Sequence, residues 1–398
     1  MNFNSLIFLI AALHFYGPAI GASTDKIQTV SLGYAEIIDD PRYEEKRAYA
    51  RIRVKPHHRP VAGAEVAIRD SRILGRALNI KFQVLLTEAN NAKDLAAQIK
   101  RMNRDLGVEF FIIDADASVL DFIARETAAM NILLFNISDF SDDLRSSKCR
   151  ANLMHVIPSY AMLADSLGQF LVFKKWREVL LLKGSGPGDA AFATAFVRSA
   201  KRFGIKIDDV RDFVPGNDPR EREQNNILLM TSGTDADLVF VSDIEGDFGR
   251  YVQYQTQGPL PVIGTEGLQA SSWHWAWERH GAPQLNQRFE RHANRRMQGP
   301  DWAAWTAVKS IIESILRTES IEFETILAYL RSDKLNLDAY KGAPVSFRSW
   351  NNQLRQPILL HTYNAIIERA PIRGFLHPVE NMDTLGYDRS ESRCQLER

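Results

Sequence analysis

The chain has 398 residues, enough for about two domains that each bury a core of their own. Apolar residues make up 45% of it and charged residues 25%, the balance of a water-soluble globular protein. Lysine plus arginine equals aspartate plus glutamate at 49 each, which excludes a net field that would gather nucleic acid or an anionic membrane.

Residues 6–16 form an apolar stretch of signal-peptide length, followed by the small residues Ala19, Gly21 and Ala22. Gly17-Pro18 interrupts the stretch well short of the roughly 20 apolar residues that a spanning helix needs. No cysteine stands near the cleavage point to carry a lipid. The expectation is a signal peptide over 1–22, export, and a mature chain that is not membrane-embedded.

Strand-like and helix-like segments then alternate. A strand over 27–32 precedes a helix over 61–78, a strand over 80–86 and an amphipathic helix over 92–106 ended by Gly107. Strand 108–113, helix 119–130 and strand 132–135 follow. After Ile157-Pro158-Ser159 a second series runs through helix 161–173, strand 178–182, helix 189–203, strand 205–210, a helix near 221–231, strand 238–241, a helix near 246–257 and strand 261–263. Helices are expected over 302–316 and 323–330, and strands over 345–350 and 357–363, before a polar tail. Such alternation predicts parallel, doubly wound sheets, and the two series predict two α/β lobes with a cleft between them.

Four acidic loops follow apolar strands: Asp114-Ala-Asp116-Ala-Ser118, Ser138-Asp139-Phe-Ser-Asp142-Asp143, Ser242-Asp243-Ile-Glu245-Gly-Asp247 and Thr265-Glu266-Gly267. In open α/β sheets ligands sit outside the carboxyl ends of the strands. Two readings stand. Asp and Ser before a helix cap its amino terminus, and acids in the first turn favour its dipole. Capping needs one acceptor per helix, however, and these loops supply more, so Asp114, Asp116, Asp139, Asp243, Glu245 and Glu266 are also candidates to hold a cation. Carboxylate ligands suit a calcium or lanthanide ion rather than zinc or copper. The Asp114-x-Asp116-x-Ser118 spacing is not an EF-hand loop, because Val119 and Arg125 stand where Gly and Glu are required.

Catalytic signatures are lacking. Gly184-Ser-Gly186-Pro-Gly188 is neither a nucleophile elbow, a phosphate loop nor a dinucleotide fingerprint; it reads as a strand-to-helix turn with Ser185 and Asp189 as ligand contacts. The chain is not expected to be an enzyme. Trp273, Trp275 and Trp277 would share a face of an extended segment, as core or as a cleft wall. Cys149 and Cys394 are the only cysteines. They form a disulfide suited to an exported chain, or remain a buried and a tail thiol.

Several segments together resemble the type I periplasmic substrate-binding proteins of branched-chain amino acid ABC transporters. These are Pro60-Val-Ala-Gly63 to Gly75, Val262-Ile-Gly-Thr-Glu266-Gly267, Trp302 to Ile311, and Ser346-Phe-Arg-Ser-Trp350-Asn-Asn-Gln-Leu-Arg355 to Tyr363. The segment Trp273-His-Trp275-Ala-Trp277 to Leu285 and the tail 385–394 resemble the subgroup associated with pyrroloquinoline-quinone-dependent alcohol oxidation. The resemblance implies two Rossmann-like lobes joined by a hinge: lobe 1 over 23–157 and about 284–344, lobe 2 over 158–283 and about 345–369, and a tail over 370–398. It implies a periplasmic receptor partnered by an ABC transporter permease. Its ligand contacts would be Asp114, Asp116, Ser138 and Asp139 from lobe 1, and Ser185, Asp243, Glu245 and Glu266 from lobe 2. Glu266 matches the family residue that meets a ligand's ammonium group. The lobe 1 acids depart from the family's hydroxyl-rich carboxylate site. A cationic ligand is therefore expected: a lanthanide or calcium ion, or an organic cation. A small amino-acid-like or alcohol-derived metabolite is the alternative, as is a periplasmic metal chaperone or sensor without transport.

Overall fold

The computed structural model describes residues 27–44, 58–214 and 225–396. The expected signal peptide and the start of the helix expected over 221–231 lie outside the described residues.

In the first lobe, β1 (Gln28–Ile37), β2 (Ile80–Ala89), β3 (Phe110–Asp114), β4 (Leu133–Asn136) and β5 (Leu153–His155) form a parallel sheet in the order β2-β1-β3-β4-β5. The central strands β3 and β4 are fully buried apolar runs because both faces are covered, while the edge strand β2 is partly exposed. Helices α3 (Ala92–Leu106) and α4 (Ala117–Glu126) pack on one face, through Leu95, Ile99, Leu120 and Ile123. Helices α1 (Val61–Asp70) and α10 (Gly299–Thr318) pack on the other, through Val66, Trp302 and Ile311. Gly63 allows α1 to press against α10, since a Cβ there would lie 2.0 Å from the Asp301 carbonyl oxygen.

The second lobe holds β6 (Glu178–Lys183), β7 (Lys206–Asp212), β8 (Leu238–Ser242), β9 (Val262–Gly264), β10 (Leu268–Ser271), β14 (Ile358–His361) and β15 (Ile366–Ala370). Their order is β15-β14-β10-β9-β8-β6-β7, antiparallel at β10–β14 and β14–β15 and parallel elsewhere. Helices α5 (Tyr160–Lys174) and α6 (Pro187–Phe203) cover one face through Leu167, Leu171 and Phe196, and α7 (Ile227–Met230) and α8 (Gly249–Gln255) the other, through Ile227 and Val252.

The two doubly wound lobes are those expected from the sequence, with differences in detail. Strand β1 runs five residues past 32. The helix expected over 61–78 breaks at Ser71 into α1 and α2 (Arg72–Ala77), and the Ser71 hydroxyl donates back to the Ala67 carbonyl at 2.8 Å. Strands β5, β10 and β15 and helix α9 (Ala282–Ala293) were not anticipated. Trp273, Trp277, Val345, Phe347 and Leu354 pack in the core with the first sheet, and Ile358 and Leu360 in that of the second.

Buried amides stitch the crossings together. Gln353 Nε2 donates to the carbonyls of His155 and Ile157, both at 3.1 Å, and Gln356 Nε2 donates to that of Val156 at 2.6 Å. The fully buried Arg145 donates to Gln353 Oε1 at 2.7 Å and to the carbonyls of Ser141, Asp139 and Ile157. Cys149 and Cys394 are disulfide-bonded, their Cα atoms 5.6 Å apart, which ties the tail to the first lobe. Among the described residues no helix is long and apolar enough to cross a membrane.

Candidate functional site: the acidic cleft between the lobes

Doubly wound folds bind ligands outside the carboxyl ends of their parallel strands, and here the segment after β4 meets the second lobe where Phe140 stacks on Tyr160. From the first lobe come the segments after β1, β3 and β4. Asp40 caps a single turn of 3-10 helix (Pro41–Tyr43), and this turn brings Arg42 and Tyr43 over the end of β3. The Arg42 guanidinium donates to both Asp40 oxygens, to Asp114 Oδ1 at 3.1 Å and to Ser138 Oγ at 2.9 Å. Tyr43 donates its hydroxyl to the other Asp114 oxygen at 2.7 Å. Burial alone would lower the pKa of Arg42, but its bonds to Asp40 and Asp114 hold it raised, so the side chain stays charged.

The remaining first-lobe acids are drawn onto local donors. Asp116 Oδ1 accepts the backbone N–H groups of Ser118 and Val119 and the Ser118 hydroxyl. Burial opposes ionisation there, and these hydrogen bonds outweigh it, leaving the carboxyl below the ordinary range. Asp139 accepts the Ser141 N–H at 2.9 Å, and burial pushes its carboxyl up despite Arg145 nearby.

In the second lobe Asp243 follows β8, with its carboxylate turned onto its own loop. It accepts N–H bonds from Gly246 at 2.9 Å, Phe248 at 3.0 Å and Gly249 at 2.7 Å. Asp189 spans two loops, accepting from Gly186 N–H at 3.1 Å and Ile244 N–H at 2.7 Å. Glu266 is buried in the short turn from β9 to β10. Gly264 at φ 112° and Gly267 at φ 68° frame that turn, and a Cβ at Gly267 would lie 2.1 Å from the Val262 carbonyl oxygen. Gly249 packs against the Glu266 side chain, since a Cβ there would lie 2.9 Å from Glu266 Cγ. Ser185 and Glu245 are exposed at the ends of β6 and β8.

Aromatic rings link the lobes beneath these acids. Tyr160, the first residue of α5, donates its N–H to the Phe140 carbonyl at 2.9 Å and stacks on the Phe140 ring at 5.5 Å. Burial raises the Tyr160 hydroxyl pKa, and Asp139 from one lobe and Asp189 from the other raise it further. The half-buried Tyr160 ring also packs against Phe192 of α6, their centroids 5.6 Å apart, and a Cβ at Gly188 would lie 3.5 Å from its hydroxyl oxygen.

The eight expected contact residues all occur at strand ends, but they do not form one cluster. Among the described residues no three His, Cys, Asp or Glu side chains stand where they could hold a metal ion together. Asp114 is closed off by Arg42 and Tyr43, while Asp116 and Asp243 face backbone amides, so the capping reading accounts for those two. Trp273 and Trp277 are core residues and not a cleft wall. Their ring nitrogens donate to Asn286 Oδ1 and the Tyr340 carbonyl. Sequence reasoning missed Asp40, Arg42, Tyr43, Phe140 and Tyr160. The signal for the first three was the Asp40-Pro-Arg42-Tyr43 turn. It escaped notice because β1 was ended at 32, where Gly33 interrupts its apolar run.

No family model matches the chain, and no curated protein matches it in sequence. In structure it is similar to a branched-chain amino acid ABC transporter periplasmic ligand-binding protein from Burkholderia xenovorans LB400. That match has a TM-score of 0.72 at 14% identity, over 93% of this chain and 100% of that one. It is also similar to the closed conformation of a leucine-, isoleucine-, valine-, threonine- and alanine-binding protein from Brucella ovis, with a TM-score of 0.70 at 12% identity over 93% and 100%. A third similar structure is a solute-binding protein of an ABC transporter from Rhodopseudomonas palustris BisB5 in complex with 3,4-dihydroxybenzoic acid. Its TM-score is 0.62 at 10% identity, over 86% of this chain and 97% of that one. The chain has the fold of the type I periplasmic binding proteins.

Proposed function

We propose that this chain is the solute-binding component of an ABC importer, exported to the periplasm, where it delivers its ligand to a membrane permease. The fold supports this reading, because the likeness extends over nearly the whole chain and over the whole length of receptors of this kind. The ligand enters between the lobes, meets groups from both, and favours the closed arrangement that the permease engages.

The preferred ligand carries a positive organic group, such as an ammonium. The observation that carries this reading is the Tyr160 ring, stacked on Phe140 of the first lobe and beside Gly188 of the second, in a region whose strand ends carry Asp139, Asp189 and Glu266. An aromatic face beside carboxylates suits an organic cation. A bare calcium ion, by contrast, wants about six to eight oxygen ligands. A link to pyrroloquinoline-quinone-dependent alcohol oxidation rests on the similarity of the Trp273–Leu285 segment and the tail.

Calorimetric titration tests the proposal, with a panel of organic ammonium compounds beside lanthanum and calcium chloride. Saturable heat from an ammonium compound, weakened in Glu266→Gln, is the expected result. Saturable binding of lanthanum alone would favour a metal receptor or chaperone. Binding of carboxylic acids that lack an ammonium group would overturn the cationic reading and leave a metabolite receptor.

A further inference from the structure

The tail does more than end the chain. After β15 it lies along the second lobe: Leu385 is fully buried in that lobe's core. The Gly386 N–H donates to Asp165 Oδ2 at 2.8 Å, and the Gly386 carbonyl accepts from Arg198 at 3.1 Å and Arg202 at 2.8 Å. The Arg198 guanidinium lies 4.1 Å from the centre of the Tyr387 ring and is 3.0 Å from Glu391 Oε2. Asp165 has no solvent exposure and faces Arg198 and Arg202 together, so this anchor is a buried, charge-assisted one.

The same tail also grips the first lobe. Asp383 accepts from Arg348 Nε at 2.8 Å and Arg355 Nε at 2.9 Å, and both arginines flank the small sheet β11 (Leu337–Asp338), β12 (Pro344–Phe347), β13 (Leu354–Arg355), whose apolar residues pack in the first-lobe core. Cys394 is then bonded to Cys149, in the loop between β4 and β5. Only three Cα steps separate Glu391, held by Arg198, from Cys394, a reach of about 11 Å when fully extended.

We propose that the tail is a covalent strap which limits how far the lobes open. Its second-lobe anchor and its first-lobe disulfide are too close along the chain for the lobes to separate widely at that edge. Wide opening must either pull Glu391 and Tyr387 off Arg198 or break the disulfide. The strap therefore raises the population of nearly closed molecules before ligand arrives. Apparent affinity rises with the fraction of molecules in the competent state, so the strap strengthens binding without touching the ligand. This inference does not depend on which ligand the cleft takes.

The test is the ligand-free distance between spectroscopic labels, attached through unnatural amino acids at the exposed positions Asp105 of the first lobe and Tyr254 of the second. It is measured in the native chain, in the Cys149→Ser/Cys394→Ser double variant, and in Arg198→Ala with the disulfide intact. The strap predicts a distribution extended toward longer distances in the double variant, and a smaller extension in Arg198→Ala. Near-ultraviolet circular dichroism confirms that each variant is folded. Melting temperatures that fall while both distributions keep the native shape would overturn the proposal, leaving the disulfide as a stabilising crosslink only.

Discussion

The guanidinium of Arg42 lies 3.1 Å from the carboxylate of Asp114, which has no solvent exposure, while Arg42 itself is 31% exposed. The chain thus supplies its own cation where an acidic ligand site was expected. Taking the arginine away leaves a buried carboxylate faced, among the described residues, by the Tyr43 hydroxyl. Arg42→Met should cost about 3 kcal/mol of stability, since breaking a buried pair strands the remaining charge. Adding Asp114→Asn to that variant should recover a large part of the loss. Urea denaturation of the two single variants and the double variant measures this coupling directly.

Asp116 is a helix cap whose carboxyl is held below its ordinary pKa of 3.8, against the effect of burial, by its hydrogen bonds to Ser118 and Val119. A carboxyl with a lowered folded pKa contributes stability above the unfolded pKa and loses it as pH falls through the folded one. Asp116→Ala should cost about 1 kcal/mol at neutral pH. The gap between variant and native chain should narrow as pH falls below 3.8, which thermal melts across the acid range would show.

Asp243 and Glu266 should separate by phenotype. Asp243 accepts three backbone N–H groups of its own loop, so Asp243→Ala should lower stability by about 2 kcal/mol. Glu266→Gln keeps the shape of the side chain and should cost less stability than Asp243→Ala while weakening ligand binding. Gly249→Ala should also weaken ligand binding, because the added methyl group meets Glu266 Cγ at 2.9 Å, and should lower the melting temperature too, because it crowds Val241 Cγ1 at 3.2 Å.

His155 is fully buried at the hinge, and burial holds its pKa well below 6.5. Asn136 Nδ2 lies 3.1 Å from its Nδ1 and the Leu144 carbonyl lies 3.1 Å from its Nε2, an arrangement that fits the neutral ring protonated at Nε2. Unfolding frees the ring to take a proton below its unfolded pKa of about 6.5. The folded state must therefore lose stability as pH drops through that value, at up to about 1.4 kcal/mol per pH unit. Stability curves from pH 7.5 to 5 should be flatter in His155→Gln.

The sequence made the lobes legible because their strands and helices bury whole apolar runs. Periodicity therefore found α3 and its Gly107 stop residue by residue, and the structure adds the Asn91 cap. It was silent on β5, β10 and β15, which are short and owe their place to neighbouring strands. The acidic loops were located correctly at strand ends, yet their local partners could not be read. Whether a carboxylate faces a ligand, an amide or an arginine depends on turns a few residues long, such as 41–43, and on contacts from distant segments. Tyr160 escaped notice for a similar reason. Only the crossing of the lobes sets its ring against Phe140 and beside Gly188.

The most direct measurement is a thermal-shift titration of the mature protein with a matched set: an amino acid, the amine made by removing its carboxyl group, and the acid made by removing its amino group. Ligand binding to the native state raises apparent stability by mass action. A cleft that selects positive charge predicts a saturable rise with the amine or the amino acid, reduced in Glu266→Gln, and none with the acid. A rise with the acid that Glu266→Gln leaves intact would contradict the account.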